Sequence, residues 1–394
     1  MQSSRCTFWV LIVVVAVAGA NQGLTIPLLA VMLEQQGVST VVNGLNATAL
    51  YIGVVLVSPW LEIPLRRIGY RNTIFWGLVL LTVSTLLVPM FSSLTVWFVL
   101  RLLMGVGDSS LHYASQMWVT KITSEKNRGR DLSIYGLAFG IGFAIGPLGL
   151  NLLTFGVWVP FGALIVLYVI AYALLARIKN DFPEEIKQTE KKQNKYVTVL
   201  RIAWLALIPP FLYGFMETSL NGSFPIYALR TGLSLEWTSL ILPSFIVGSI
   251  ILQMPLGMLS DRIGRKKVMF VCALVGAAAF FLFPVAGENV WFMMLMLAIA
   301  GAAVGSFYSL GLAYAADILP ASMIPTVGII AGINFGVASI LAPGLNGFLM
   351  QVWEPWTMFW LMGAQLLAFT IACLVHRETS ATQKEIPISL QKHG

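Results

Sequence analysis

Twelve apolar stretches, each about as long as a bilayer is thick, restrict this 394-residue chain to one kind of fold. A helix needs about 20 apolar residues to cross the roughly 30 Å of hydrocarbon in a bilayer. Stretches of that kind run near 8–33, 45–63, 73–91, 94–119, 132–155 and 158–177, and again near 200–228, 237–259, 268–286, 290–316, 326–350 and 355–376. With 58% hydrophobic and 10% charged residues, and a mean hydropathy of +0.83, the chain has too little polar surface to enclose a soluble core. No stretch alternates with the period of two that a membrane barrel requires. Several contain Pro or Gly, which membrane helices tolerate where neighbours satisfy the freed backbone groups. The expected fold is an all-α membrane protein of twelve transmembrane helices. Arg5 and Ala18-Gly19-Ala20 imitate a secretory signal, but the apolar run continues to Leu33, well past a signal core. Cys6, Cys272 and Cys373 have neither metal-ligand spacing nor the look of a disulfide framework.

The stretches fall into two sets of six. Gly257-Met258-Leu259-Ser260-Asp261-Arg262-Ile263-Gly264-Arg265-Lys266-Lys267 is a short basic loop between two apolar segments, and Arg66-Arg67-Ile68-Gly69-Tyr70-Arg71 is a worn copy of it 195 residues earlier. Gly105 and Gly301, and likewise Pro147 and Pro343, recur at an offset of 196. Landmarks used twice at half the chain length indicate a duplicated bundle, and two parallel six-helix repeats are the expected transporter arrangement. The polar run from Lys179 to Lys195 reads as a flexible or loosely helical linker between them. The expected domains are a bundle over 1–178, a cytoplasmic linker over 179–199, a second bundle over 200–378 and a cytoplasmic tail over 379–394.

Basic residues set the orientation, because cytoplasmic loops collect Lys and Arg. Of the 24 Lys and Arg, Arg101 lies inside a stretch and Arg230 follows the seventh. The rest collect at the two termini or at and beside the connections after stretches 2, 4, 6 and 8. Both termini are therefore expected in the cytoplasm of a multi-pass membrane protein. The net charge of +7 is a topology signal and carries no implication of nucleic-acid binding.

The chain resembles the major facilitator superfamily over essentially its whole length. Its second loop matches that superfamily's Gly-x-Leu-x-Asp-Arg-x-Gly-Arg-Lys signature at Gly257, Asp261, Arg262, Gly264 and Arg265. The first loop keeps Arg67, Gly69 and Arg71 but has Arg66 where the acid belongs, with Glu62 one turn earlier as the available substitute. Arg101-x-x-x-Gly105-x-Gly107 is similar to the fourth-helix motif. Gly142-x-x-x-Gly146-Pro147-x-Gly149 is similar to a fifth-helix motif associated with antiporters, and Asn127-Arg128-Gly129-Arg130 resembles a loop of a bacterial drug-efflux-like branch. The resemblance implies alternating access, with the signature loops acting as cytoplasmic gates. Apart from the resemblance, Asp261 at a helix end can pair with basic side chains in one state and part from them in another, whereas Arg262, Arg265, Lys266 and Lys267 can equally serve as headgroup anchors. Gly142, Gly146 and Gly149 permit close helix approach, and Pro147 removes a backbone donor and kinks its helix.

Ionisable groups within the hydrocarbon are the sharper functional signal, since each costs at least about 2.5–3.5 kcal/mol at the bilayer centre. Arg101, Asp108 and His112 share the fourth stretch at spacings of seven and four, which places them on nearly one helical face. They read either as a proton relay or as a polar seam between helices. Glu217 in the seventh stretch, with Asn221 one turn on, is the leading single proton carrier; some proton-coupled members of the family likewise carry an acid in helix 7. Asn21, Gln22, Asn221, Gln253 and Asn334 are candidates to line a polar cavity or to bond between helices. Asp317 reads as a helix-end or gate residue.

No phosphate-cradling loop, nucleophile motif or metal cluster is present in the sequence, so neither an enzyme nor an ATP-driven pump is expected, and no cofactor or metal. The expected function is a secondary transporter, a proton-coupled antiporter exporting small amphipathic compounds. The alternatives are a proton symporter importing a polar nutrient and a non-transporting membrane sensor. The expected partners are a small-molecule substrate, protons and membrane lipids, with the chain acting as a monomer.

Overall fold

The computed structural model describes residues 2–124, 127–183, 195–320 and 323–376; most of the expected linker and the tail 379–394 lie outside them. The described residues form an all-α protein without strands. In chain order the helices are α1 (Gln2–Gln35), α2 (Thr40–Val57), α3 (Glu62–Ile68), α4 (Tyr70–Leu87), α5 (Leu94–Ile122), α6 (Arg128–Ile145), α7 (Trp158–Leu175) and α8 (Lys195–Ile202). They continue as α9 (Trp204–Arg230), α10 (Leu235–Ile263), α11 (Arg265–Leu282), α12 (Val290–Val304), α13 (Phe307–Ile318), α14 (Ile324–Val352) and α15 (Thr357–Val375). Among the described residues, eleven spans are long and apolar enough to cross a bilayer; α8 and α9 taken together supply a twelfth.

The departures from the expected spans have local causes. The seventh does not begin at residue 200: α8 lies at 90° to α9, so the crossing starts at Trp204. With Lys195 and Arg201 beside Val197, Val199, Leu200 and Ile202, α8 has the amphipathic composition of an interfacial turn rather than of a buried span. The fifth stretch is not one α-helix. Pro147 lacks the donor an α-helical turn would use, and the chain passes at Gly146 into a 3₁₀ segment, Gly146–Phe155. The tenth breaks at Gly305 and Ser306, between α12 and α13.

The chain packs as two units. One contains α1 to α7 together with Leu220–Pro243 and Pro343–Val352; the other contains α8, α9 up to Ser219, Ser244–Ala342 and α15. Each holds one copy of the same glycine contacts. In the first, a Cβ on Gly105 would lie 1.9 Å from the Leu50 carbonyl oxygen, and one on Gly53 2.2 Å from that of Leu102. In the second, Gly301 meets the Phe245 carbonyl oxygen at 1.8 Å and Gly248 that of Ala298 at 2.1 Å. A third pair is Gly19 against the Phe139 oxygen at 2.3 Å and Gly214 against the Phe335 oxygen at 2.8 Å. Every partner recurs at an offset of 195 or 196, so the duplication read from the loops extends to the way the helices touch. Backbone packed on backbone supplies dispersion and Cα–H···O contacts where lipid offers no hydrophobic drive between helices.

This packing predicts a sharp positional contrast. Gly105→Ala and Gly301→Ala place a methyl on a carbonyl oxygen and should each cost about 1–3 kcal/mol or more. Gly162→Ala in α7, where nothing lies within 4 Å, should be close to neutral. Thermal unfolding of the purified protein in detergent measures the difference.

Candidate functional site

Asp108 on α5 is the focus of the first unit. It is 3% exposed, and the side-chain amide of Gln22 on α1 donates to its Oδ2. His112, one turn on, has its Nε2 3.9 Å from the same oxygen, and His112 Nδ1 lies 3.3 Å from the Tyr135 hydroxyl of α6. Tyr135 in turn meets the Ser115 hydroxyl at 2.8 Å, and Ser115 donates to the Leu111 carbonyl at 2.7 Å. A line of exchangeable protons thus runs Gln22, Asp108, His112, Tyr135, Ser115, with a single long gap between Asp108 and His112. Asp108 Oδ1 and His112 Nε2 are buried without a hydrogen-bond partner, so both retain capacity to bond a mobile group.

The glycines on α1 set this geometry. Gly19 and Gly23 lie one turn apart and take the carbonyl oxygens of Phe139 and Phe143 on α6, each at 2.3 Å from where a Cβ would stand. Gly142 and Gly146 answer from α6 and its continuation, against Ala16 and Gly23. Gly149 meets the Leu24 side chain at 2.7 Å, so the glycines of the expected packing motif all act as contacts to α1. Asn21 and Gln22, between the two α1 glycines, are held against the bundle. Asn21 Oδ1 accepts from the Tyr168 hydroxyl of α7 at 2.5 Å, and Tyr168 lies 3.3 Å from the Thr85 hydroxyl of α4. Phe139 closes the other side of His112 edge-on, at 4.8 Å between centroids.

Arg101 does not join this line. It is 2% exposed, and its Nε and Nη2 have no hydrogen-bond partner. No ion pair links it to Asp108 among the described residues, so the three-residue relay expected from spacing reduces to Asp108 and His112 as the pair in proximity.

Glu217 stands in the second unit, partly buried on α9, and shares a side-chain hydrogen bond with Tyr213 one turn before it. Tyr213 lies 6.1 Å from Phe335, and Tyr308 meets the same ring edge-on at 6.1 Å. The repeat offsets give this a pattern. Glu217 occupies the position of Gln22, Tyr308 that of His112, and Phe335 that of Phe139, while Val304 stands in place of Asp108. Asp108 thus stands on the fourth span of the first repeat, and Glu217 on the first span of the second.

Asn334 donates to the Leu207 carbonyl at 2.9 Å, a bond between helices. Asn221 is buried and Gln253 is exposed on α10. Tyr135 and Tyr168 were readable only as aromatic residues; a buried tyrosine hydroxyl needs a partner, but sequence spacing does not name one on another helix.

The signature loop of the second repeat forms a closed ion network. Arg265 joins Asp261 at 2.9 Å and Asp317 at 2.6 Å, with Ser260 Oγ at 3.3 Å; Lys266 donates to the His376 carbonyl. Gly264 turns this loop at φ +99° and Gly69 turns its counterpart at φ +84°, a region that favours glycine. Arg67 and Arg262 are exposed, and Gly257 has open space around it. Within the first unit, Glu34 pairs with Arg230 at 2.7 Å, the loop cation outside the expected pattern. There Thr40 also donates to the Gly347 carbonyl at 2.7 Å and Asn151 to Ser239 at 2.9 Å, while Gly44 packs on the Pro343 carbonyl. Within this unit, α1, α2 and the segment before α7 are thus tied to Leu220–Pro243 and Pro343–Val352.

The sequence model of the Major Facilitator Superfamily matches residues 11–241 and 206–392. The chain belongs to this superfamily. It is 40% identical over 388 residues to the MFS-type transporter YfkF of Bacillus subtilis strain 168, covering 97% of this chain and 98% of that one. It is 24% identical to Multidrug resistance protein 2 of the same organism, over 70% of this chain and 72% of the relative. Among solved structures, the nucleoside transporter NupG superposes with a TM-score of 0.75 at 12% identity, covering 96% of this chain and 100% of that one. The architecture is that of a multi-pass superfamily transporter.

The Gln22–Asp108 bond yields an asymmetric prediction. Gln22→Leu leaves a buried carboxyl without this donor and should destabilise by about 1–3 kcal/mol, whereas Gln22→Leu with Asp108→Leu replaces both partners and should recover most of the loss. Equal destabilisation in the single and double variants, measured by thermal unfolding, would contradict the pairing.

Proposed function

We propose that this superfamily member is a proton-coupled antiporter that exports small amphipathic compounds by alternating access. The observation that carries the reading is the buried Asp108, bonded to Gln22, with His112 3.9 Å away and one carboxyl oxygen unpartnered. A carboxyl kept inside a span against an insertion cost of about 2.5–3.5 kcal/mol marks a functional position. A carboxyl beside an imidazole, with a tyrosine and a serine hydroxyl behind them, can take and pass a proton. Glu217 is the second carrier; in the other repeat it occupies the position of Gln22, the residue that bonds Asp108. Asp108 and Glu217 are deprotonated while cargo is bound; protonation from the outside resets the carrier after cargo leaves, so that cargo and proton use the same groups in turn. Arg265, Asp261 and Asp317 act as a cytoplasmic lock, and Glu34 with Arg230 as an outer one. The multidrug-resistance relative supports export of varied drug-like cargo. The basic loops support both termini in the cytoplasm, and the Bacillus subtilis relative supports a bacterial cell membrane as the location.

Inverted vesicles with a preset inside-acid gradient test this, with amphipathic cations, neutral drugs, sugars, nucleosides and amino acids added singly. The expected result is cargo-triggered loss of the gradient for amphipathic compounds, reduced at least about tenfold in Asp108→Asn and in Glu217→Gln at equal expression. Full gradient-driven exchange in both variants would remove these residues as carriers. Proton movement in the same direction as a sugar or nucleoside would replace export by symport.

A further inference from the structure

The two copies of the signature loop are locked with opposite charge. At the offset that pairs Gly69 with Gly264, Arg66 stands in the position of Asp261 and Tyr70 in that of Arg265; at the offset that pairs Gly105 with Gly301, Lys121 stands in the position of Asp317. In the second repeat one cation bridges two acids carried by helices. In the first, the two acids have become bases and the cation has become an aromatic ring. Glu62, the substitute suggested by sequence, does not fill the gap, because it is bound to Arg66 itself at 2.6 Å.

The missing acid comes from the chain beyond α7. Both carboxylate oxygens of Asp181 accept from Lys121 Nζ at 2.8 Å, and the Phe182 carbonyl accepts from it at 2.6 Å. Lys121 also lies 5.8 Å over the ring of Tyr70, which stacks on Trp118 at 5.6 Å. The backbone joins in: Tyr70 N donates to the Asp181 carbonyl at 2.8 Å, Arg71 N to Asn180 Oδ1 at 3.0 Å, and Asn180 Nδ2 to the Ile68 carbonyl at 2.7 Å. A Cβ on Gly69 would lie 2.5 Å from the Asn180 amide, whereas Gly264, in the same turn of the other repeat, has nothing within 4 Å among the described residues. The first loop thus has a notch filled by linker residues.

We propose that Asn180-Asp181-Phe182, the start of the segment joining the two sets of six spans, is a strap that serves as the acidic half of the first repeat's loop lock. The side chains of Lys121 and Asp181 are 26% and 42% exposed, so the strap meets water and can be released without unfolding a helix. The bonds differ in kind from those of a simple helix end, since they run to a loop more than 100 residues earlier and depend on a specific charge pair. Tension or binding on the linker would then act directly on the turn between α3 and α4 and on the end of α5. This assignment is independent of cargo and of proton coupling.

Hydrogen exchange of the full-length purified protein tests it through the amides of Tyr70 and Arg71. Lys121→Met and Asp181→Asn should each speed exchange there about five- to tenfold, the loss of one charge-assisted bond. Lys121→Asp combined with Asp181→Lys should restore protection, and Glu62→Gln should leave it unchanged. Unaltered exchange in both single variants, or a charge-exchanged protein no better protected than they are, would overturn the strap. Zero-length carbodiimide coupling of the unmodified protein covers the case in which a variant fails to fold. A Lys121–Asp181 amide found by mass spectrometry is expected, and its absence alongside coupling at Glu62 would count against the proposal.

Discussion

The approach of backbone to backbone at glycine is the constraint from which the rest of the structure follows. Where Gly19 and Gly23 of α1 receive carbonyl oxygens of α6, no side chain separates the two helices. Within a bilayer, that intimacy substitutes for the hydrophobic drive that would assemble the same helices in water. It also fixes the polar side chains that ride on those helices. Asn21 and Gln22 lie between the two glycines, and their partners Tyr168 and Asp108 come from α7 and α5. Gly105, one turn before Asp108, holds α5 against α2 by the same device. A buried carboxyl is kept in a defined position because the helices around it cannot drift.

Duplication then supplies two versions of one scaffold, and function is written in their differences. The glycine contacts recur at offsets of 195 and 196, so the scaffold is shared. The charges are not. The carboxyl on α5 in the first repeat has a valine for its mate, and the Gln22 that bonds it has Glu217 for its mate. The loop locks are inverted in the same way, with helix acids in one copy and a linker acid in the other. Shared glycine contacts with exchanged charges give the two repeats one scaffold and different chemistry.

Much of this was legible in the sequence, and the limits have physical causes. Span count, duplication and the signature loop depend on composition and short spacing, which the sequence displays directly. The fifth-helix glycines read as packing residues, and the structure finds them against α1. Spacing places Arg101, Asp108 and His112 on one face, yet a shared face does not make a bond: Arg101 lies two turns from Asp108 and has no ion pair with it among the described residues. Gln22 as the partner of Asp108, and Asp181 as the partner of Lys121, are 86 and 60 residues distant; no local period encodes such pairs. Gln253 suggests a cavity residue by type alone, and it is exposed. The start of the seventh span is displaced because α8 is apolar enough to extend it, and only the 90° bend separates the two.

The central claim is that cargo and proton use the same carboxyls in turn. Its most direct test is proton release from solubilised protein in weakly buffered solution when cargo binds, followed with a pH indicator. The account predicts a release that saturates with cargo binding in the native protein and is absent when Asp108→Asn and Glu217→Gln are combined in a variant that still folds. Saturable cargo binding by the native protein with no proton released would contradict it.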